Sequence, residues 1–220
     1  IIMLTGFLDD IKNLSAKYRL FVQIFSATLS ILMLIHFYGN NHQKTLFWII
    51  TELCVFIFIT VWSTNLYNFM DGTDGIAAIE AITVFGVGGF LLWYQGAREL
   101  SFLAWVLVAT TLGFLAWNWP AAKIFMGDVC SSFLGFLIVP FALTGYFILG
   151  LSPLTWLILY AVFFLDATFT LVRRLANKEK IFQAHRKHAY QRLNQAGFSH
   201  KKVLVVTINL NLCFSILSLT

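Results

Sequence analysis

Leu46-Phe-Trp-Ile-Ile-Thr-Glu-Leu-Cys-Val-Phe-Ile-Phe-Ile-Thr-Val-Trp-Ser-Thr64 runs directly into Asn65-Leu-Tyr-Asn68-Phe-Met-Asp71-Gly-Thr-Asp74-Gly75. A second apolar run follows from Ile76 to Tyr94. Each run comes close to the ~20 residues that a helix needs to cross a bilayer. Between them, amides, carboxylates and glycines are crowded into one short segment. Carboxylates at a membrane boundary are costly unless they meet a cation, a partner or water, so their presence there points to function.

The rest of the chain is of the same kind. Apolar residues make up 59% of it, charged residues 11%, and mean hydropathy is +0.80. A soluble domain of 220 residues neither needs nor can hide that much apolar surface. Comparable runs lie at 20–38, 46–64, 76–94, 100–117, 131–149, 153–172 and 203–220. They predict an all-α, polytopic transmembrane helix bundle of about seven spans, because a segment in lipid must satisfy its own backbone groups. With no soluble domain, repeat or low-complexity tract, 1–220 reads as one integral membrane domain. The opening Ile1-Ile2-Met3-Leu4 is apolar and lacks a basic n-region. It reads as the tail of a membrane helix, which predicts that N-terminal spans are missing.

The net charge of +5 is unevenly placed. Assigning loops alternately to two sides puts Lys12, Lys17, Arg19, Lys123 and every Lys and Arg between 173 and 202 on one side. Only Lys44 and Arg98 fall on the other, beside short turns such as Gly39-Asn40-Asn41. This positive-inside bias places loops 9–19, 65–75, 118–132 and 173–202 in the cytoplasm. It argues for a lipid bilayer, and against nucleic acid, as the surroundings of the positive charge. The acidic clusters share that side, which hydrophobicity does not require. Cys54, Cys130 and Cys213 are an odd, widely spaced set with no disulfide framework. Cys54 and Cys213 are expected to be packing residues inside spans.

Four constellations carry the chemistry. Adjacent Asp9 and Asp10 repel one another unless a cation or base uses them. At the C-terminal end of a helix they oppose its dipole, so stabilisation of that end does not explain them. They read as a general base or as anions close to a metal. Asn68, Asp71 and Asp74 are spaced by three, which puts them near one face if the segment is helical. Hard oxygen donors of this kind suit Mg²⁺, and Gly72 and Gly75 would let backbone approach a ligand; an ordinary capped turn uses the same residue types. Asp128, in Lys123-Ile-Phe-Met-Gly-Asp128, is either an N-cap or a metal ligand beside a cation. His185-Arg186-Lys187-His188-Ala-Tyr190-Gln-Arg192 suits a polyanion such as a diphosphate, against the plainer role of a basic run drawn to anionic lipid. Asp166, with Arg173 two turns on along the same helical face, reads as a structural ion pair or a hydrogen bond to another helix rather than as a catalyst. Glu80 lies about one turn beyond Gly75, within reach of the same site.

Four motifs then carry a resemblance. Gly6-Phe-Leu-Asp9-Asp10, Asn65-x-x-Asn68-x-x-Asp71-Gly-x-Asp74-Gly, Lys123-Ile-Phe-Met-Gly-Asp128 and His185-Arg-x-His188-x-Tyr190-Gln-Arg occur in this order. The chain resembles the polyprenyl-phosphate N-acetylhexosamine-1-phosphate transferases of glycosyltransferase family 4, which include phospho-N-acetylmuramoyl-pentapeptide transferase. The last motif looks most like members that begin O-antigen or related glycan synthesis from UDP-linked 6-deoxy-HexNAc sugars. The resemblance implies undecaprenyl phosphate and a UDP-N-acetylhexosamine as substrates, UMP as product, and Mg²⁺, or Mn²⁺ in its place. It implies a bacterial inner (cytoplasmic) membrane enzyme with its active face in the cytoplasm, and leaves room for a homodimer. By resemblance, Asn68 and Asp128 hold the metal. Asp9 and Asp10 act at the lipid phosphate, one of them as candidate base, and Asp71 and Asp74 support the metal and nucleotide sugar. Lys17 lies near the diphosphate, and His185, Arg186 and His188 grip the diphosphate or sugar. Two departures stand out: about three upstream spans are missing, and Cys130 replaces a glycine usual in the family.

Two other readings predict different things. An ion-coupled secondary transporter needs acids near the bilayer midplane in broken helices, which only Glu52, Glu80 and Asp166 suit. An inactive fragment of the transferase would keep the motifs without a closed bundle.

Overall fold

A computed structural model describes residues 1–38, 45–179 and 185–219. The expected turn at Gly39-Asn40-Asn41, together with Lys44, Lys180 and the final residue of the last expected span, lies outside the described residues. Ten helices are described: α1 (Ile2–Lys12), α2 (Ala16–Tyr38), α3 (Leu46–Met70), α4 (Ile76–Tyr94), α5 (Arg98–Asn118), α6 (Gly127–Leu149), α7 (Pro153–Leu159), α8 (Ala161–Ala176), α9 (Ala189–Gln195) and α10 (His200–Ser218). Among the described residues no strand is formed. Six helices are long and apolar enough to cross a membrane: α2, α3, α4, α5, α6 and α10.

The sixth expected span does not run straight. Within 153–172 the chain breaks at Tyr160, and α7 and α8 meet at a bend of 82°. The apolar run is continuous across the break, so hydropathy carries no trace of it. Several helices also run past their expected ends. α3 continues to Met70, which puts Asn65 and Asn68 on helix rather than in a loop. α1 reaches Lys12, so Asp9 and Asp10 are helical too.

The chain forms two compact units. The first comprises Ile1–Asn68 and Met126–Pro153. In it α1 lies against α2 and α6, and α2 packs on α6. Ile31, Val139 and Leu143 are buried together, flanked by Phe56 and Phe147, whose rings meet edge to face 6.4 Å apart. Polar bonds join the helices here as well. Gln23 and Asn65 exchange hydrogen bonds at 2.6 and 3.2 Å, and the Ser63 hydroxyl donates to the Gly135 carbonyl at 2.7 Å. Such bonds between helices in lipid contribute on the order of 0.6 kcal/mol each.

The second unit comprises Phe69–Phe125 and Leu154–Thr220. α4 is its central helix, in contact with α5 and α10, and α10 also touches α8 and α9. The buried run Ala77, Ala78, Ala81, Val84 and Phe85 explains this position, since small side chains let neighbouring helices come close. Cys54 and Cys213, expected to pack inside spans, are instead exposed on the surfaces of α3 and α10.

Candidate functional site

In the first unit, Gly6 brings two backbones together. A Cβ on it would stand 2.5 Å from the Asp128 carbonyl oxygen, so any side chain would drive α1 and α6 apart. This approach carries Asp10 onto the start of α6. Its Oδ1 accepts the Asp128 N–H at 2.9 Å and its Oδ2 accepts the Val129 N–H at 3.3 Å. Asp10 therefore caps α6 from another helix, satisfying N–H groups that have no partner within α6 and meeting the positive end of its dipole. The position of Asp10 is explained: it opposes the dipole of α1 and serves that of α6. Asp128 lies in the first turn of α6 rather than at its N-cap, which is Met126.

Asp9 is buried beside them. Its Oδ1 accepts the Leu14 N–H at 2.7 Å, and its Oδ2 lies 2.6 Å from Arg19 Nη1. The same Nη1 reaches Asp128 Oδ2 at 3.3 Å. Asp9 and Asp128 share a hydrogen bond, and the Asn68 side chain bonds both Asp128 and, at 3.2 Å, the Ser132 hydroxyl. Burial opposes charge on Asp9, but the bond to Asp128 and the Arg19 guanidinium outweigh it and hold the Asp9 carboxyl below its usual range. Asp9 and Asp128 thus meet at one guanidinium, with Asp10 on the Asp128 backbone beside them. That donor set fits a hard divalent cation, because Mg²⁺ takes one or two protein oxygens and completes its shell with waters and phosphate. Among the described residues no group of three or more His, Cys, Asp or Glu is placed to hold a metal ion by itself. Lys17 is exposed on the first turn of α2. Arg19, which joins Asp9 to Asp128, entered the sequence reading only as one cytoplasmic charge among many.

In the second unit, the loop after α3 is held by hydrogen bonds. The Tyr190 hydroxyl donates to the Phe69 carbonyl at 3.0 Å, and Asn194 Nδ2 donates to Thr73 Oγ1 at 2.7 Å. Asn118 Oδ1 accepts the Gly75 N–H, and its Nδ2 donates to the Ile124 carbonyl, both at 2.8 Å. Asp74 Oδ2 accepts the Ala122 N–H at 3.1 Å, while its Oδ1 faces His200 Nδ1 at 3.1 Å. Burial, then the charges of Asp166 and Asp71, push the Tyr190 hydroxyl far above its ordinary value and keep it a donor. Asp71 itself is half-buried. Two expectations need correction. The helix stops at Met70, so Asn68, Asp71 and Asp74 do not line one helical face. The space beside Gly72 is filled by Tyr190, and that beside Gly75 by Leu204, rather than left for a ligand. Asn118 and His200 had no signal in the sequence beyond lying at loop ends.

The basic loop closes on α8 and α9. His188 is buried at the N-cap of α9, where its N–H donates to Gln191 Oε1 at 3.2 Å. The two oxygens of Asp166 each accept the Ala189 N–H at 2.9 Å, and Oδ1 lies 3.4 Å from His188 Nδ1. Asp166 therefore makes the hydrogen bond to another helix that the sequence allowed, at the start of α9, and not the ion pair with Arg173. The His185 ring lies 4.9 Å from that of His188. Burial, then the charge of Arg174, holds the His185 imidazole below its ordinary value and favours its neutral form. Arg186 is exposed, and its carbonyl accepts Gln195 Nε2 at 3.0 Å. Glu179 ties Lys187 at 2.5 Å to Arg174 at 3.2 Å. A cleft of about 840 Å³ opens here, walled by Phe169, Val203 and Leu210 and rimmed by Arg173, Arg186 and Arg192. Glu80, by contrast, is fully buried and accepts Asn211 Nδ2 at 2.8 Å.

Residues 1–146 match the sequence profile described as glycosyl transferase family 4. A probable undecaprenyl-phosphate N-acetylglucosaminyl 1-phosphate transferase of Bacillus subtilis (strain 168) is 32% identical, covering 98% of this chain and 62% of the relative. An undecaprenyl-phosphate alpha-N-acetylglucosaminyl 1-phosphate transferase of Escherichia coli O157:H7 is 28% identical over 94% of this chain and 59% of the relative. A phospho-N-acetylmuramoyl-pentapeptide-transferase of Anoxybacillus flavithermus is 28% identical over 98% of this chain and 70% of the relative. The chain thus spans about three fifths of the length of the first two. With the profile matched over most of its length and the motifs of the acid cluster inside the matched part, the chain belongs to glycosyl transferase family 4.

Proposed function

We propose that the chain acts in transfer of a HexNAc-1-phosphate from a UDP-N-acetylhexosamine to undecaprenyl phosphate, releasing UMP. The observation that carries this reading is the meeting of Asp9 and Asp128 at Arg19, with Asp10 holding the Asp128 backbone, in a chain whose relatives bear the names of such transferases. Asp128 and the Asn68 amide are the residues to hold Mg²⁺, with Mn²⁺ as a substitute. Bound there, the ion would neutralise charge on the phosphates that react.

Each residue set has a separate task in this reading. Asp9, bonded to Asp128 and paired with Arg19, serves the lipid phosphate, as its base or as the anion that orients it. Asp10, with both oxygens engaged at the start of α6, fixes Asp128 in place. Asp71 and Asp74 support the nucleotide sugar, with Asp74 set by Ala122 and His200. His185, Arg186 and His188 take the diphosphate, for which guanidinium and imidazole donors are suited. The reaction would face the cytoplasm in a bacterial inner membrane, and its product would start a lipid-linked cell-surface glycan such as O-antigen.

The transporter reading draws less support. Glu80 is bonded to Asn211, and Asp166 is bonded to Ala189 and Thr170, so neither acid awaits an ion.

UMP release tests the proposal, measured in detergent with undecaprenyl phosphate and a panel of UDP-HexNAc donors. Both the chain and a version extended to the full length of its relatives are assayed, each with Asp128→Asn. Release that needs Mg²⁺, stops with EDTA and falls at least 100-fold in the variant is expected on the scale of losing one electrostatic stabiliser. The donor turned over fastest separates N-acetylglucosamine from a 6-deoxy sugar. Folded protein that releases no UMP from any donor in either version would overturn the proposal.

A further inference from the structure

Asp166 stands outside the four motifs by which the chain resembles its family, yet both oxygens of its carboxylate are engaged. Its two oxygens accept the Ala189 N–H, the first of α9, at 2.9 Å each. Thr170 Oγ1 donates to Oδ1 at 3.2 Å from one turn further along α8. The same Oδ1 lies 3.4 Å from Nδ1 of His188. That nitrogen is shut off from solvent and makes no hydrogen bond of normal geometry, so its 3.4 Å approach to Asp166 is an ion-pair contact. His188 as a whole is 3% exposed, and its ring stacks on Tyr190 at 5.9 Å and approaches His185 at 4.9 Å.

From this geometry we infer that Asp166 is a positioning residue for His188: its carboxylate keeps the proton on Nδ1 and so commits Nε2 to the substrate side of the imidazole. A histidine ring has two chemically distinct nitrogens, and the partner of one decides what the other can do. Here the partner is a carboxylate already fixed by a backbone N–H and a hydroxyl, so it cannot swing away without uncapping α9. The ring is held in turn by Tyr190, whose own hydroxyl is tied to Phe69. One acid thus sets three things together: the start of α9, the orientation of the buried ring, and its tautomer. The inference rests on the proposed role of His188 at the diphosphate, and it adds a residue that does not itself touch substrate.

Asp166→Asn separates these tasks, since an amide oxygen can still accept the Ala189 N–H while the charge that selects Nδ1–H is gone. The first readout needs no activity: ¹⁵N spectra of histidine-labelled protein, with the His188 signals assigned by their loss in His188→Gln. The parent is expected to show one tautomer, protonated at Nδ1, and Asp166→Asn a mixture; Asp166→Glu, which keeps the charge, should stay close to the parent. The second readout is a double-mutant cycle on kcat/KM for UMP release, with the thermal midpoint of each protein recorded beside it. Asp166→Asn should lose about 10- to 100-fold, as removal of an orienting partner does elsewhere. In a His188→Gln background it should lose no more than about 2-fold, because residues acting through one another are not additive. An unchanged His188 tautomer in Asp166→Asn overturns the inference, and so does an equal loss in both backgrounds. Absence of UMP release in the parent would instead refute the transferase reading, and the tautomer result would still decide the Asp166–His188 pairing.

Discussion

The two units hold their functional residues in different ways. In the first, the acids of α1 meet α6 through direct backbone approach at Gly6, and one guanidinium, Arg19, spans the carboxylates. In the second, the loop between α3 and α4 hangs from side chains of separate elements: Asn118, Tyr190, Asn194 and His200. A contact between backbones has no slack, whereas a set of hydrogen bonds can lose one member and keep the rest. The first arrangement suits a site that must hold a small ion with fixed geometry. The second suits a loop that has to receive a larger substrate.

The contrast predicts an order of damage. Gly6→Ala should be the most harmful, destabilising the fold by about 3 kcal/mol, because the new methyl meets backbone that cannot move aside; thermal unfolding in detergent measures it. Equal stability of Gly6→Ala and the parent would show that α1 has room to shift. Asn118→Ala comes next at about 2 kcal/mol, since it strips partners from a buried N–H and a carbonyl at once. Arg19→Ala should cost about 1 kcal/mol, a modest figure because the guanidinium is partly exposed. Its distinguishing mark is that added Mg²⁺ raises its midpoint more than that of the parent, the ion replacing a lost positive charge between Asp9 and Asp128. Tyr190→Phe should be mildest, at or below about 1 kcal/mol for one hydrogen bond, while its ring stays over Gly72. If Tyr190→Phe proved worse than Gly6→Ala, the contrast between the units would be lost.

Much of this was legible in the sequence, and what was not has a common cause. The apolar run 76–94 coincides with α4, because a long uninterrupted apolar segment has only one way to satisfy its backbone in lipid. Asp9, Asp10 and Asp128 were legible as an interacting set only through motif order. Their mutual geometry depends on Gly6, whose role as the point of closest approach appears only when α6 is beside it. The bend at Tyr160 left no mark, since composition does not change across it. Arg19, Asn118 and His200 were missed for a single reason: each works on a residue far away in the chain, and periodicity reports only near neighbours. Asp166 shows the same limit from the other side. Its helical spacing pointed to Arg173, yet its partners are Thr170, His188 and Ala189, two of them supplied by the chain returning after α8.

The most direct test of the account is to identify the lipid product by mass spectrometry after incubating the protein, extended to the length of its relatives, with undecaprenyl phosphate, Mg²⁺ and the preferred UDP-HexNAc. The account predicts undecaprenyl diphosphate-linked HexNAc formed in equal amount to UMP, and neither product from Asp128→Asn. UMP accompanied by free sugar phosphate, or well-folded protein that leaves the lipid phosphate unchanged with every donor, would contradict it.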